Sequence, residues 1–197
     1  MKFLRDQREE LKRLIIRLTW VDSGKYNPPY LWSKGISQYC DFKGSESYWR
    51  EETESCRPES FFRKYYAGAC GLVWVRLGTR SRDGNPCDLD NFVRGALPTV
   101  QKPFALITTD GDASVPSDIA SATVSALLDC SLLISWHTQN YDGYVHPKFT
   151  PLPVGIDLHT PRFCSSVRHL VALLNSIRAR GGFRWIKYRS ECFAIWE

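Results

Sequence analysis

Short apolar runs separated by polar turns recur through the middle of the chain. The runs are GLVWVRLG over 71–78, FALIT over 104–108, LLISW over 132–136 and FTPLPV over 149–154. Their length and their β-branched and aromatic content predict strands. The unbroken apolar character of the second predicts an interior parallel strand covered on both faces. Pro151 and Pro153 place the last at an edge or in irregular pairing. Between the strands the period changes. Asp88 and Asp90 precede a short helical pattern through Phe92, Val93, Ala96 and Leu97, with Pro98 beyond it. Pro116 and Ser117 mark a helix start whose buried stripe is Ile119, Ala122, Ala126 and Leu127. Val167, Leu170, Val171, Leu174 and Ile177 form the cleanest helical stripe, closed by Gly181-Gly182, and one more strand is expected over 183–188. Alternating strands and helices joined by short turns predict an α/β fold, a Rossmann-like parallel sheet flanked by helices.

The flanking pattern is different. Leu4, Leu11, Leu14, Ile15 and Leu18 have the spacing of one helical face, opposite a charged one. From Val21 to Ser60 periodicity is lost among prolines and glycines, and a short helix begins near Pro58 and runs through Phe61, Phe62 and Tyr65. This predicts an N-terminal region over 1–66, an amphipathic helix plus an irregular loop, ahead of the Rossmann-like domain over 67–197.

Composition narrows the classes. The 197 residues suffice for one well-buried domain, with 43% apolar and 24% charged residues. A formal charge of +5, scattered along the chain, comes with no groove-reading motif, so nucleic acid is not an expected partner. The seven cysteines form no CxxC pair, which argues against a zinc ribbon and favours reduced thiols. The charged start MKFLRDQREELKRL is unlike a signal peptide and no run reaches the length of a membrane span, so a soluble chain is expected. No GxSxG, Walker loop or GxGxxG is present.

Polar side chains cluster where strands should end, the edge at which open α/β sheets bind ligands. Asp110-Gly111-Asp112 follows the 104–108 run. Two carboxylates across a glycine can hold a hard cation, Mg²⁺ or Mn²⁺, although a plain turn or a helix cap uses the same residues. His137, Gln139, Asn140 and Asp142 follow the 132–136 run. His137 is a candidate general base near neutral pH. Gln139, Asn140 and Asp142 could bind sugar hydroxyls, or the last two could simply organise a turn into Gly143. Lys148 could neutralise a phosphate, and Asp157 closes the 149–154 run. His146 and His159 match no common zinc spacing.

The blocks LVWVRLGTRSRDG, DLDNFVRGALP, KPFALITTDGD, VPSDI, SWHTQNYDG and HPKFTPLPVGIDLHT, over about residues 70 to 160, together resemble a group of glycosyltransferases of microbial eukaryotes, bacteria and large DNA viruses. Those are similar in outline to exostosin-like and fucosyltransferase-like enzymes of the two-Rossmann (GT-B) architecture. The resemblance implies sugar transfer from a nucleotide-activated donor to a hydroxyl acceptor, with no obligatory metal cofactor and with the Asp-Gly-Asp as a family loop. It implies a nucleotide sugar and a glycan or other hydroxyl acceptor as partners. In such enzymes the N-terminal half mainly faces the acceptor. On that template the chain corresponds to one half, which is expected to be incomplete, to associate with a missing second half, or to self-associate. Two rival expectations stand beside it: a catalytically silent carbohydrate-binding or interaction domain, and a metal-dependent hydrolase built on Asp110, Asp112 and one histidine.

Overall fold

The computed structural model describes residues 32–50, 56–78, 87–156 and 167–179. The chain divides into two compact units, residues 27–157 and residues 1–26 with 158–197. The described part of the second is one helix, Val167–Ala179, in which Val171 is buried. The expected helix over 2–20, the strand over 183–188 and Asp157 lie outside the described residues.

The first unit begins with a 3₁₀ turn, Gly35–Tyr39, and two short helices, α1 (Glu46–Arg50) and α2 (Glu59–Tyr65). Then follow β1 (Gly71–Gly78), α3 (Asp88–Gly95), a 3₁₀ turn (Leu97–Thr99), β2 (Phe104–Gly111), α4 (Ser121–Asp129), β3 (Leu133–Thr138) and β4 (Phe149–Pro151). The four strands form one parallel sheet in the order β1-β2-β3-β4. It is a Rossmann-like α/β arrangement, as the run-and-stripe pattern predicts.

Helix α4 starts five residues later than Pro116. The Asp118 carboxylate accepts from the Ser114 N–H at 2.8 Å and the Ile119 N–H donates to the Pro116 carbonyl, so 114–119 closes as a turn of its own. The buried positions of α4 are therefore Thr123 and Leu127, one helical turn apart, while Ala122 is exposed and Ile119 is buried from the loop.

Both crossovers, through α3 and through α4, advance the sheet in the same direction. Crossovers of one hand that advance one way place their helices on the same face. Thr123 Oγ1 of α4 accordingly donates to the Asp90 carboxylate of α3, and the Phe92 ring lies 6.5 Å from that of Phe104. This helix face holds Val73, Val75, Leu106, Thr108, Trp136, Thr138 and Phe149, all buried. Within it Trp136 Nε1 donates to Thr108 Oγ1 at 2.9 Å, which donates to Thr138 Oγ1 at 2.8 Å, so no polar atom of that row is left bare.

Among the described residues, the cover of the opposite face lies over β1 and β2. There the Trp74 ring packs 5.4 Å from Tyr48 of α1, and Trp74 Nε1 donates to Thr109 Oγ1 at 2.8 Å. Towards β3 and β4 the cover thins: Ser135 and His137 are half-buried and Thr150 is exposed.

The described residues of the N-terminal region, 32–50 and 56–66, thus pack into the same core as the sheet, through Cys40, Tyr48, Phe62 and Tyr66. They also seal the outer edge of β1. Phe42 pairs with Val73 in parallel, the Tyr66 hydroxyl donates to the Trp74 carbonyl at 2.8 Å, and the Arg76 N–H donates to the Tyr48 hydroxyl at 3.0 Å. Two tyrosines thereby satisfy backbone groups that an edge strand would otherwise present to another chain. Cys40, Cys56, Cys70, Cys87 and Cys130 are free thiols, and burial pushes those of Cys40 and Cys87 up to about 12. Among the described residues no helix is long and apolar enough to cross a membrane.

Candidate functional site

The carboxyl ends of β2 and β3 meet at a polar rim. Gly111 is needed there: a Cβ on it would lie 2.1 Å from the Gly78 carbonyl oxygen, so only glycine lets the ends of β1 and β2 come together. The Asp112 N–H donates to that carbonyl at 3.0 Å. On either side of this contact the backbone is left-handed at non-glycine residues, φ 64° at Asp110 and φ 53° at Asn140. Asp and Asn tolerate this region better than other side chains. The two strands therefore turn sharply away at the same level, presenting Asp110, Gly111 and Asp112 beside Gln139 and Asn140. The carbonyl of Gly111 accepts from both amides, Gln139 Nε2 at 3.0 Å and Asn140 Nδ2 at 2.8 Å.

These contacts fix what each group offers. With its NH₂ held on Gly111, Gln139 presents Oε1, which is buried without a hydrogen-bond partner. Asp110 is mostly buried and lies 3.9 Å from the buried Lys34 ammonium, while Asp112 is exposed. The rim is rich in acceptors. Asn140 and Asp142 serve the chain itself. The Asn140 carbonyl accepts from the Val115 N–H, the Val115 carbonyl accepts from the Asp142 N–H, and an Asp142 carboxylate oxygen accepts from the Ser117 N–H at 2.8 Å. Burial alone would raise the Asp142 carboxyl, but hydrogen bonds from Ser117 and Tyr144 outweigh it and hold it below the ordinary range. The turn-organising role of Asn140 and Asp142 is the one the geometry displays.

Two expected members stand elsewhere. His137 lies on the sheet face away from the helices, and its Nε2 is 2.9 Å from Ser135 Oγ on the same strand. Burial lowers its pKa below the ordinary 6.5, so the ring is neutral near pH 7. Lys148 is not at the rim. Its ammonium donates to the carbonyls of Leu128 and Cys130, at 2.8 Å for the latter, and so caps the C-terminal end of α4, where a cation complements the helix dipole. That end faces the start of β3, the opposite edge from the rim. Lys148 is therefore not positioned beside Asp110 and Gln139 to meet a phosphate. Asp157 lies outside the described residues. His146 accepts from the Lys148 N–H and packs near Phe149.

Two polar groups went unnoticed in the sequence. One is the strap Trp32-Ser33-Lys34, whose Ser33 carbonyl accepts from Thr109 Oγ1 and whose Lys34 faces Asp110. The other is a buried cluster at the start of α3. Arg76, 2% exposed in mid-strand, donates through Nε and Nη2 to Asp88 Oδ2 at 3.0 and 2.9 Å, and stacks over Tyr48. Asp88 also accepts from the Tyr48 hydroxyl and the Arg57 N–H, while Asp90 accepts from the Cys87 N–H and Thr123. Desolvation raises the Asp88 carboxyl even against these donors. An arginine inside an otherwise apolar strand was the available signal, since such a charge needs a buried partner.

Asp110 and Asp112 are the pair that could hold a cation at the rim. Among the described residues no group of three or more His, Cys, Asp and Glu side chains is gathered as a metal centre would require. A scan against family models finds none that matches the chain, and searches of curated proteins and of solved structures return no match.

Proposed function

We propose that this is a glycosyltransferase-like domain whose β2–β3 rim takes the hydroxyl-bearing acceptor rather than the nucleotide-sugar phosphates. The observation that carries this reading is the excess of acceptors at the rim, where the Lys34 ammonium already faces Asp110. Asp110 and Asp112 accept only, and Gln139 has its NH₂ committed and its oxygen unpaired. The complement of such a surface is a set of donors, which sugar hydroxyls supply. A phosphate brings only acceptors and negative charge. The cation expected to meet a phosphate, Lys148, is engaged with helix carbonyls at the other edge.

In this reading Asp112, exposed beside the buried pair, receives the proton of the attacking hydroxyl, and Asp110 and Gln139 orient it. His137, directed to Ser135, is not the base. The donor is contributed by a second body, another half or another chain.

A second reading is favoured by the same placement of His137 and Lys148: the domain binds carbohydrate without turning it over. Calorimetric titration with a panel of neutral oligosaccharides and of nucleotide sugars separates the cases. The first reading expects binding of the oligosaccharide, and transfer once a donor-binding partner is added. The second expects the same binding with no transfer. Binding of free nucleotides in preference to neutral sugars, or of neither class at millimolar concentration, sinks both.

A further inference from the structure

A domain of this size normally leaves few buried polar atoms unpaired, and those that remain call for an explanation. Among the described residues, four of them bear on one end of the sheet. Trp32 Nε1, Ser33 Oγ and Gln38 Nε2 lie on the strap and the 3₁₀ turn that continues it, and Gln139 Oε1 lies on the rim. The strap is fastened at the carboxyl end of β2 by the Thr109 hydroxyl on the Ser33 carbonyl and by Lys34 at 3.9 Å from Asp110. That is one residue from the Gly111 carbonyl on which Gln139 is held.

Two opposing tendencies act on the same short segment. Trp32 is 1% exposed, and burial of its indole holds the strap down. Gly35 makes this possible, because a Cβ there would lie 1.8 Å from Trp32 Nε1. Against it, each donor buried without a partner carries the full cost of desolvation, which is recovered when the atom meets water or a ligand. The main-chain bonds that join the strap to the 3₁₀ turn are Ile36 N–H to Trp32 O, at a long 3.4 Å, and Ser37 N–H to Lys34 O at 3.1 Å, with Cys40 N–H to Ser37 O at 3.0 Å closing the turn.

The topology gives the strap its place. Both crossovers leave the carboxyl edge towards the helix face, so the strand order never reverses within the four described strands and no switch-point crevice opens between neighbours. The strap arrives at the end of β2 from the other face and supplies the missing wall. We infer that residues 32–39 form a lid over the β2–β3 rim, which opens as a unit to bring Asp110 and Gln139 into reach of the ligand. That the ligand is a sugar rests on the function proposed above; the opening of the lid does not.

Hydrogen exchange of the full chain, read by mass spectrometry with no ligand present, tests the lid by itself. Amides of residues 36–40 should exchange together, at least tenfold faster than those of 105–109 in β2. Ser33→Ala and Gln38→Met each remove an unpaired buried atom and should slow exchange of 36–40 by about 5- to 30-fold while leaving β2 unchanged. Gly35→Ala should expel the indole and remove protection of 36–40 altogether. Exchange of 36–40 no faster than that of β2, or Ser33→Ala and Gln38→Met exchanging at the wild-type rate or faster, overturns the lid. Either result leaves the sugar-binding reading of the rim to be judged by titration.

Discussion

Two polar regions lie at the carboxyl edge of this sheet, and they differ in how completely their atoms are paired. At the start of α3 the Asp88 carboxylate collects donors from Arg76, Tyr48 and the Arg57 backbone, and Asp90 joins Cys87 and Thr123. At the β2–β3 rim, Gln139 keeps an unpaired buried oxygen, Asp112 faces solvent, and the strap above β2 carries three unpaired buried atoms of its own. The first region ties α1, β1 and α4 to α3, and its two carboxylates are committed to partners within the chain. The second has capacity and no internal use for it. Chemical type alone would rank the buried Arg-Asp-Tyr cluster as the more enzyme-like, yet saturation marks it as structural, because a satisfied buried network rigidifies the fold around it.

The largest test of that contrast is Asp88→Ala. It strands the Arg76 guanidinium in the interior and should lower unfolding stability by about 3–5 kcal/mol. Urea denaturation reads this directly, and a loss under about 1 kcal/mol would show that the cluster does not hold α3 in place. Asp112→Asn should do the reverse. The side chain is exposed, so stability should stay within about 0.5 kcal/mol of wild type. Affinity for a bound oligosaccharide should fall about tenfold, the order expected when a charged hydrogen-bonding partner is neutralised. Equal affinity for both proteins would remove Asp112 from the site.

Lys148→Met sharpens the comparison from outside. Losing the cation at the C-terminal end of α4 should cost about 0.3–1 kcal/mol, with sugar affinity unaltered. A drop in affinity would return Lys148 to the binding surface. The smallest effect concerns pH. His137 is neutral in the folded protein at pH values where the unfolded chain already takes up a proton, because burial holds its pKa below 6.5. Its contribution to stability is intact above pH 6.5 and is lost as the pH falls through 6.5 towards the folded-state value. The melting temperature of wild type relative to His137→Gln should therefore decline between pH 7.5 and 5.5. A constant difference would mean that the ring titrates normally.

Much of this architecture is legible in one dimension. GLVWVRLG and FALIT announce β1 and β2 because strands covered on both faces require uninterrupted apolar runs, and the helix after Pro58 starts at Glu59 as its position implies. The delayed start of α4 was not legible, since it depends on Asp118 reaching the Ser114 amide before the helix can form. Nor was the role of segment 32–66. Its aromatic residues have no period, and their order comes from the edge of β1, to which Phe42, Tyr48 and Tyr66 attach through residues 31, 28 and 8 positions away in sequence.

For the candidate site the division follows the same line. Polar residues just beyond an apolar run belong at a strand end, so the sequence alone assigned Asp110, Asp112, His137, Gln139, Asn140, Asp142 and Asp157 to one rim; of these His137 instead faces Ser135 on its own strand. Which way each side chain turns was decided by partners distant in the chain: Gly111 orients Gln139, Ser117 engages Asp142, and Lys148 reaches carbonyls eighteen and twenty residues back. Periodicity reports how a residue relates to its own strand or helix. Hydrogen-bond saturation depends on what the other elements bring alongside, and only the assembled sheet settles it.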